Sequence, residues 1–164
     1  MEYCQKILDK LKLTFKTFEG IELKEMTEED FEIHGQNVMG FSKINLIKTD
    51  WNTDKNYRMM PIEPIGVTIR LNDDKGHTLT NDKLLGTLVH ELGHCLTPYI
   101  QVKEKRSWYE DNHTDQFYIN YLAVARQCYK LGIWKNKSLL QLRALKRLDQ
   151  MNTCEDDVLF HSIT

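Results

Sequence analysis

Between residues 66 and 95 the hydrophobic period of the chain switches from two to about 3.6, and no other stretch limits its folding as strongly. "GVTIRLN" alternates, with Val67, Ile69 and Leu71 on one face and Thr68 and Arg70 on the other, the pattern of a half-buried strand. "NDDKGHT" follows as a turn, rich in Asn, Asp and Gly. Leu84, Leu85, Leu88, Val89 and Leu92 then recur at helical spacing, with Thr80 or Asn81 as N-cap, Asp82 in the first turn and Pro98 beyond the end. A strand delivered into an amphipathic helix has to share a core with it, which selects layered folds containing both.

The flanking segments extend that frame. Residues 4–13 read as a short helix with Ile7, Leu8, Leu11 and Leu13 as its apolar set, and "TFKTFEGIEL" as a strand interrupted at Gly20. Thr27 and Asp30 have capping-box spacing, and "VMGFSKINLIK" has strand composition. A helix is expected over 114–131, with Phe117, Tyr121, Ala125 and Cys128 on one face and Gly132 as its stop. Another begins near Ser138 and carries Leu139, Leu142, Leu145 and Leu148. The expectation is an α+β fold with a small mixed or antiparallel sheet packed on one central helix. Residues 1–150 form a single domain in this reading, and 151–164 an acidic, mobile tail.

The central helix carries "VHELGH" at residues 89–94. His90 and His94 stand four apart, so both imidazoles project from one face and can reach one Zn2+ at about 2.0–2.1 Å. Glu91 lies about 100° around the axis, beside the ion, where it can take a proton from the attacking water and pass it to a leaving amine. Gly93, lacking a side chain, lets another element approach closely. A catalytic zinc needs a third protein ligand. Glu104, Glu110, Asp111, His113, Asp115 and His161 are available, with His113 first, at the start of the next helix, and Glu110 second. His34 and His77 read as surface residues. Tyr109 or Tyr118 could donate to an oxyanion. The strand at Val67, Ile69 and Leu71 is expected to be an edge along which an extended peptide substrate binds.

At these residues the chain resembles the SprT-like/WLM zinc metallopeptidases, the Spartan-related proteases. The resemblance rests on "GVTIRLN", "LLGTLVHELGHCLTP" and "NHTDQFY", within residues 35–130. It implies a minimal zincin-like metalloprotease core, His90, His94 and His113 as zinc ligands, Glu91 as general base, and an H-x-x-x-F pattern formed by His113 and Phe117. It also implies protein substrates, DNA-associated or crosslinked to DNA, with activation by nucleic acid. The 18 residues between His94 and His113 suit the SprT branch better than the WLM branch, and no zinc ribbon accompanies the core.

Charge gives the nucleic-acid reading modest support. The chain's net charge is only −2, yet residues 101–148 hold ten Lys or Arg against four Asp or Glu. Lys103, Lys105, Arg106, Arg143, Lys146 and Arg147, with Trp108 and Trp134 near them, could contact single-stranded or damaged DNA through phosphates and base faces. The four cysteines are scattered, which points to reduced thiols. With no long apolar run and no secretory leader, no membrane association is expected, and an intracellular location follows, cytoplasm and nucleus not being distinguished.

Overall fold

The computed structural model describes residues 1–51, 57–102, 113–135 and 139–151. Its elements in chain order are α1 (Glu2–Lys12), β1 (Glu22–Glu25), α2 (Glu28–His34), β2 (Gly40–Leu46), β3 (Tyr57–Met60), β4 (Ile62–Ile69), α3 (Asn81–Cys95), β5 (Tyr99–Val102), α4 (Asp115–Lys130) and α5 (Leu139–Met151). The fold is α+β: a mixed three-stranded sheet packs against α3, and β3 and β5 form a separate antiparallel pair.

The sheet order is β1-β4-β2, with β1 parallel and β2 antiparallel to β4. The strand holding Val67 and Ile69 is therefore central, and the expected substrate edge at Val67, Ile69 and Leu71 is not an edge. Both of its sides are hydrogen-bonded, Val67 and Ile69 are fully buried, and Leu71 lies past the strand end with its carbonyl taken by the Leu79 N–H. Nor does the end of β4 alternate in burial: Thr68 and Arg70 are covered as well as Val67 and Ile69, Arg70 because its guanidinium sits over the Phe31 ring and donates to the carbonyls of Gln36 and Asn72. Pro64 has no N–H for the ladder, and the β2–β4 register slips beside it, between Lys43 and Ile44.

One core joins the layers. Cys4, Ile7, Leu8 and Leu11 of α1 pack with Leu84, Leu85, Leu88, Val89 and Leu92 of α3 and with Phe117, Tyr121, Val124, Ala125 and Cys128 of α4. Leu13 does not join them: α1 ends at Lys12, and Leu13 is exposed. "TFKTFEGIEL" divides into a 3-10 turn at Lys16–Phe18 and a strand that begins only at Glu22, because the turn is what tucks Phe18 into the core. The Thr27–Asp30 capping box forms as expected, and Thr80 and Thr114 cap α3 and α4. Gly132 closes α4 at φ 68°, a left-handed conformation open to glycine at little cost.

Two of the leucines expected on the apolar face of α5 are not buried. Ala144 and Gln141 pack inward, while Leu142 and Leu145 are exposed. Tyr129 of α4 donates to Gln141 Oε1 at 2.7 Å, and small Ala144 lets the helices approach. Cys4, Cys95 and Cys128 are buried free thiols; Cys154 and the tail from 152 lie outside the described residues. Among the described residues no helix is long and apolar enough to cross a membrane.

Candidate metal centre

Two helices build the centre. α3 presents His90 and His94 one turn apart, and His113 stands immediately before Thr114, the N-cap of α4. The His90 Nε2 lies 3.2 Å from His94 Nε2 and 3.2 Å from His113 Nε2. One ligand atom from each ring lies within 4.8 Å of the others, which makes a three-histidine group able to hold a metal ion. Nitrogens bound at about 2.0–2.1 Å to one tetrahedral ion would stand about 3.3–3.4 Å apart. The spacing fits.

Packing explains the convergence. The Phe117 ring stacks on His94 with centroids 4.3 Å apart and touches His90 and His113 at 5.1 and 4.8 Å. Fully buried, it supports all three imidazoles. A Cβ on Gly93 would sit 3.0 Å from Phe117 Cε2 and 3.3 Å from Tyr121 Cα, so the close crossing of α4 over α3 depends on glycine there. Past the end of α3, Asn120 Nδ2 donates to Leu96 O and Thr97 Oγ1, both at 3.0 Å, which ties the two helices together one turn from His94.

The protonation states suit metal ligation. Burial, then the charge of His113, lowers the pKa of His90 to about 4; burial, then His90 and His113, lowers that of His94 to about 2. At neutral pH both therefore offer unprotonated nitrogen, the form that ligates. Glu91 is only 6% exposed, and burial raises its pKa to about 8 against the opposing effect of the Ser42 N–H, which donates to it. Its Oε1 is 4.0 Å from His90 Nε2. A divalent ion among the three nitrogens would favour the ionised carboxylate, and so compensate a buried acid that is otherwise costly.

A cavity of about 510 Å3 opens onto the three histidines and Glu91. Strand β2 supplies one wall through Gly40, Phe41, Ser42, Ile44 and Leu46, and the segment after α3 supplies Thr97, Pro98 and Tyr99. His34, exposed as its sequence position suggests, also lines it, stacked on Phe41 at 4.1 Å. Nothing local in the chain signals that stack. Gly40 does carry a signal, since glycine inside a strand pattern marks a close approach. A Cβ there would meet Thr87 Cγ2 at 2.7 Å and Thr68 O at 2.9 Å.

The remaining candidates scatter. Glu104, Glu110, Asp111, Tyr109, His161, Lys103, Lys105, Arg106 and Trp108 lie outside the described residues. Asp115 turns away from the ligand role to pair with Arg147 of α5, while Lys146 is exposed and Arg143 falls on α5. Trp134 is buried and stacked on Tyr129, so it is a core residue rather than a platform for bases. Tyr118 packs edge-on against Phe117 and is not among the cavity-lining residues. His77 is an exposed turn residue beside Asp73. No family model, curated protein or solved structure matches the chain.

Proposed function

We propose that this protein is a zinc-dependent endopeptidase acting on DNA-associated or DNA-crosslinked proteins. The observation that carries the reading is the pairing of three converging histidine nitrogens with a buried glutamate on the helix that carries two of them, all open to one cleft. A structural zinc site would ordinarily be closed by a fourth Cys or His and has no use for a buried acid beside it. Zinc, when bound, supplies Lewis acidity that activates water and polarises a carbonyl.

The chain's own groups do the rest. His90, His94 and His113 hold the ion. Glu91 takes the proton of the attacking water and hands it to the departing amine, while the Ser42 N–H keeps its carboxylate aimed. With β4 central, the strand that borders the cleft is β2, which has no strand on its far side among the described residues. An extended substrate peptide lies along β2 in this proposal and exchanges main-chain hydrogen bonds with it.

A stand-alone peptidase, independent of nucleic acid, is the second reading. Arg147 is engaged by Asp115 and Trp134 is buried, and both observations thin the expected DNA-binding set. One experiment addresses both readings: cleavage of a DNA-binding protein by the zinc-loaded chain, wild type beside Glu91→Gln, with and without single-stranded DNA. DNA-stimulated cleavage lost in the variant supports the first reading, and cleavage indifferent to DNA supports the second. If Glu91→Gln keeps zinc and cleaves at the wild-type rate, the peptidase mechanism is wrong.

A further inference from the structure

A second cavity, of about 300 Å3, opens beside the centre and is lined by Met39, Gly40, Gly86, Thr87, His90 and Glu91. It shares Gly40, His90 and Glu91 with the larger cavity, so the two meet across the metal-binding groups. Gly86 stands one turn before His90 on α3, as His94 stands one turn after it, and residues four apart share a helix face. The half-buried stripe of α3 is thus a continuous floor running from His94 past His90 to Gly86.

Gly86 has no explanation within the fold. It lies in the interior of a 15-residue helix, where glycine weakens the helix relative to alanine. Its backbone is not in the positive-φ region, and a Cβ added there would meet no atom within 4 Å. The two other glycines near the site differ. Gly93 is pressed by Phe117 and Tyr121, and Gly40 by Thr87 and Thr68, so packing alone requires both. At Gly86 a side chain would enter only the open cavity.

We infer that Gly86, facing Met39 and Gly40 across this second cavity, is a substrate subsite: the main chain of an extended polypeptide passes over it on its way from the centre. The inference rests on the peptidase reading and adds where the substrate runs. The missing Cβ leaves the floor of the cavity clear at Gly86, beside the point where Gly40 closes on Thr87, and the outer side of β2 is unpaired among the described residues. Stability is given up in the helix to keep that track clear.

The test uses Gly86→Ala and Gly86→Leu in the zinc-loaded chain, with a reduced, carboxymethylated unfolded protein as probe. Three quantities are read: thermal midpoint and zinc affinity, steady-state cleavage, and binding of the same polypeptide to zinc-loaded Glu91→Gln with and without each Gly86 substitution. Both variants should hold zinc as wild type does, and Gly86→Ala should melt at or above the wild-type temperature. Polypeptide affinity and KM should worsen by about threefold with Ala and about tenfold or more with Leu, with kcat less affected. Cleavage and binding unchanged in Gly86→Leu would overturn the subsite and leave the peptidase reading standing. A lowered melting temperature or lost zinc in Gly86→Ala would also overturn it, since the fold itself would then need the glycine. If wild type cleaves nothing and Glu91→Gln binds no polypeptide, the peptidase reading fails and the subsite with it.

Discussion

Replacing Gly93 by alanine tests the link between helix packing and the metal centre. Alanine favours the helix by up to about 1 kcal/mol over glycine. Against that, the new methyl would lie 3.0 Å from Phe117 Cε2, 3.2 Å from Tyr121 Cβ and 3.3 Å from Tyr121 Cα. Two of those atoms belong to, or adjoin, the α4 backbone, so no rotamer change relieves them and α4 must back away by a few tenths of an ångström. Overpacking of this kind costs about 1–3 kcal/mol, which leaves a net loss of roughly 0–2 kcal/mol. The larger effect is on zinc. His113 opens α4 and Phe117 backs all three rings, whereas ligand distances tolerate only about 0.2 Å of error. Zinc affinity should fall about tenfold or more, equivalent to about 1.4 kcal/mol. Urea denaturation of the metal-free protein reads the first quantity, and competition with a chelating dye the second. A variant that is more stable by about 1 kcal/mol and binds zinc as wild type does would refute the argument that glycine sets the crossing.

Other outcomes follow from the same structure. His113→Ala should weaken zinc binding by more than about 100-fold, beyond what outer-shell changes usually produce, and His77→Ala should leave it unchanged; zinc titration distinguishes the two. Asn120→Ala removes donors to Leu96 O and Thr97 Oγ1 and should destabilise by about 1–3 kcal/mol in urea; a loss below 0.5 kcal/mol would mean the clamp is idle. The metal-free protein should be most stable near pH 6.5 as far as His90, His94 and Glu91 decide it. The folded-state pKa values of the two histidines are depressed to about 4 and about 2, so the unfolded chain binds more protons below 6.5 and stability falls as pH drops. The folded-state value of Glu91 is raised to about 8, so its contribution is present below 4.5 and is lost as pH rises through 8, at about 1.4 kcal/mol per unit. Zinc should abolish that alkaline limb, and a metal-free protein that gains stability from pH 6.5 to 8 would contradict the assignment.

Much of this architecture is legible in the chain, for local reasons. The caps at Thr27 and Thr80, the stop at Gly132 and the buried stripes of α3 and α4 follow from spacing, because each depends on residues within a turn or two. The gathering of His90, His94 and His113 is legible to the extent that four-residue helical spacing and a following helix start can reveal it. Strand order is not. The alternation around Val67 looks like an edge or half-exposed strand, and only β1, some forty residues earlier, and the Arg70–Phe31 cover make β4 central and buried. The exposure of Leu142 and Leu145 on α5 is not legible for a related reason: the leucine spacing is regular, but Gln141, held by a hydrogen bond from Tyr129, and small Ala144 are the residues that turn inward. His34 reaches the cleft through a stack on a strand that its own neighbours do not announce.

His94 and His113 belong to different helices, with 18 residues of chain between them. An ion shared by both closes that span into a ring, as a disulfide would, in a protein whose described cysteines are all free. Constraining a loop of about this length removes chain entropy equivalent to roughly 3 kcal/mol from the unfolded ensemble. A metal ion held there, zinc in the proposed reading, would be a removable crosslink. Chelation should release the α3–α4 pair from a topological tether, and the temperature at which the helices separate should follow the free zinc concentration as well as the amino-acid sequence.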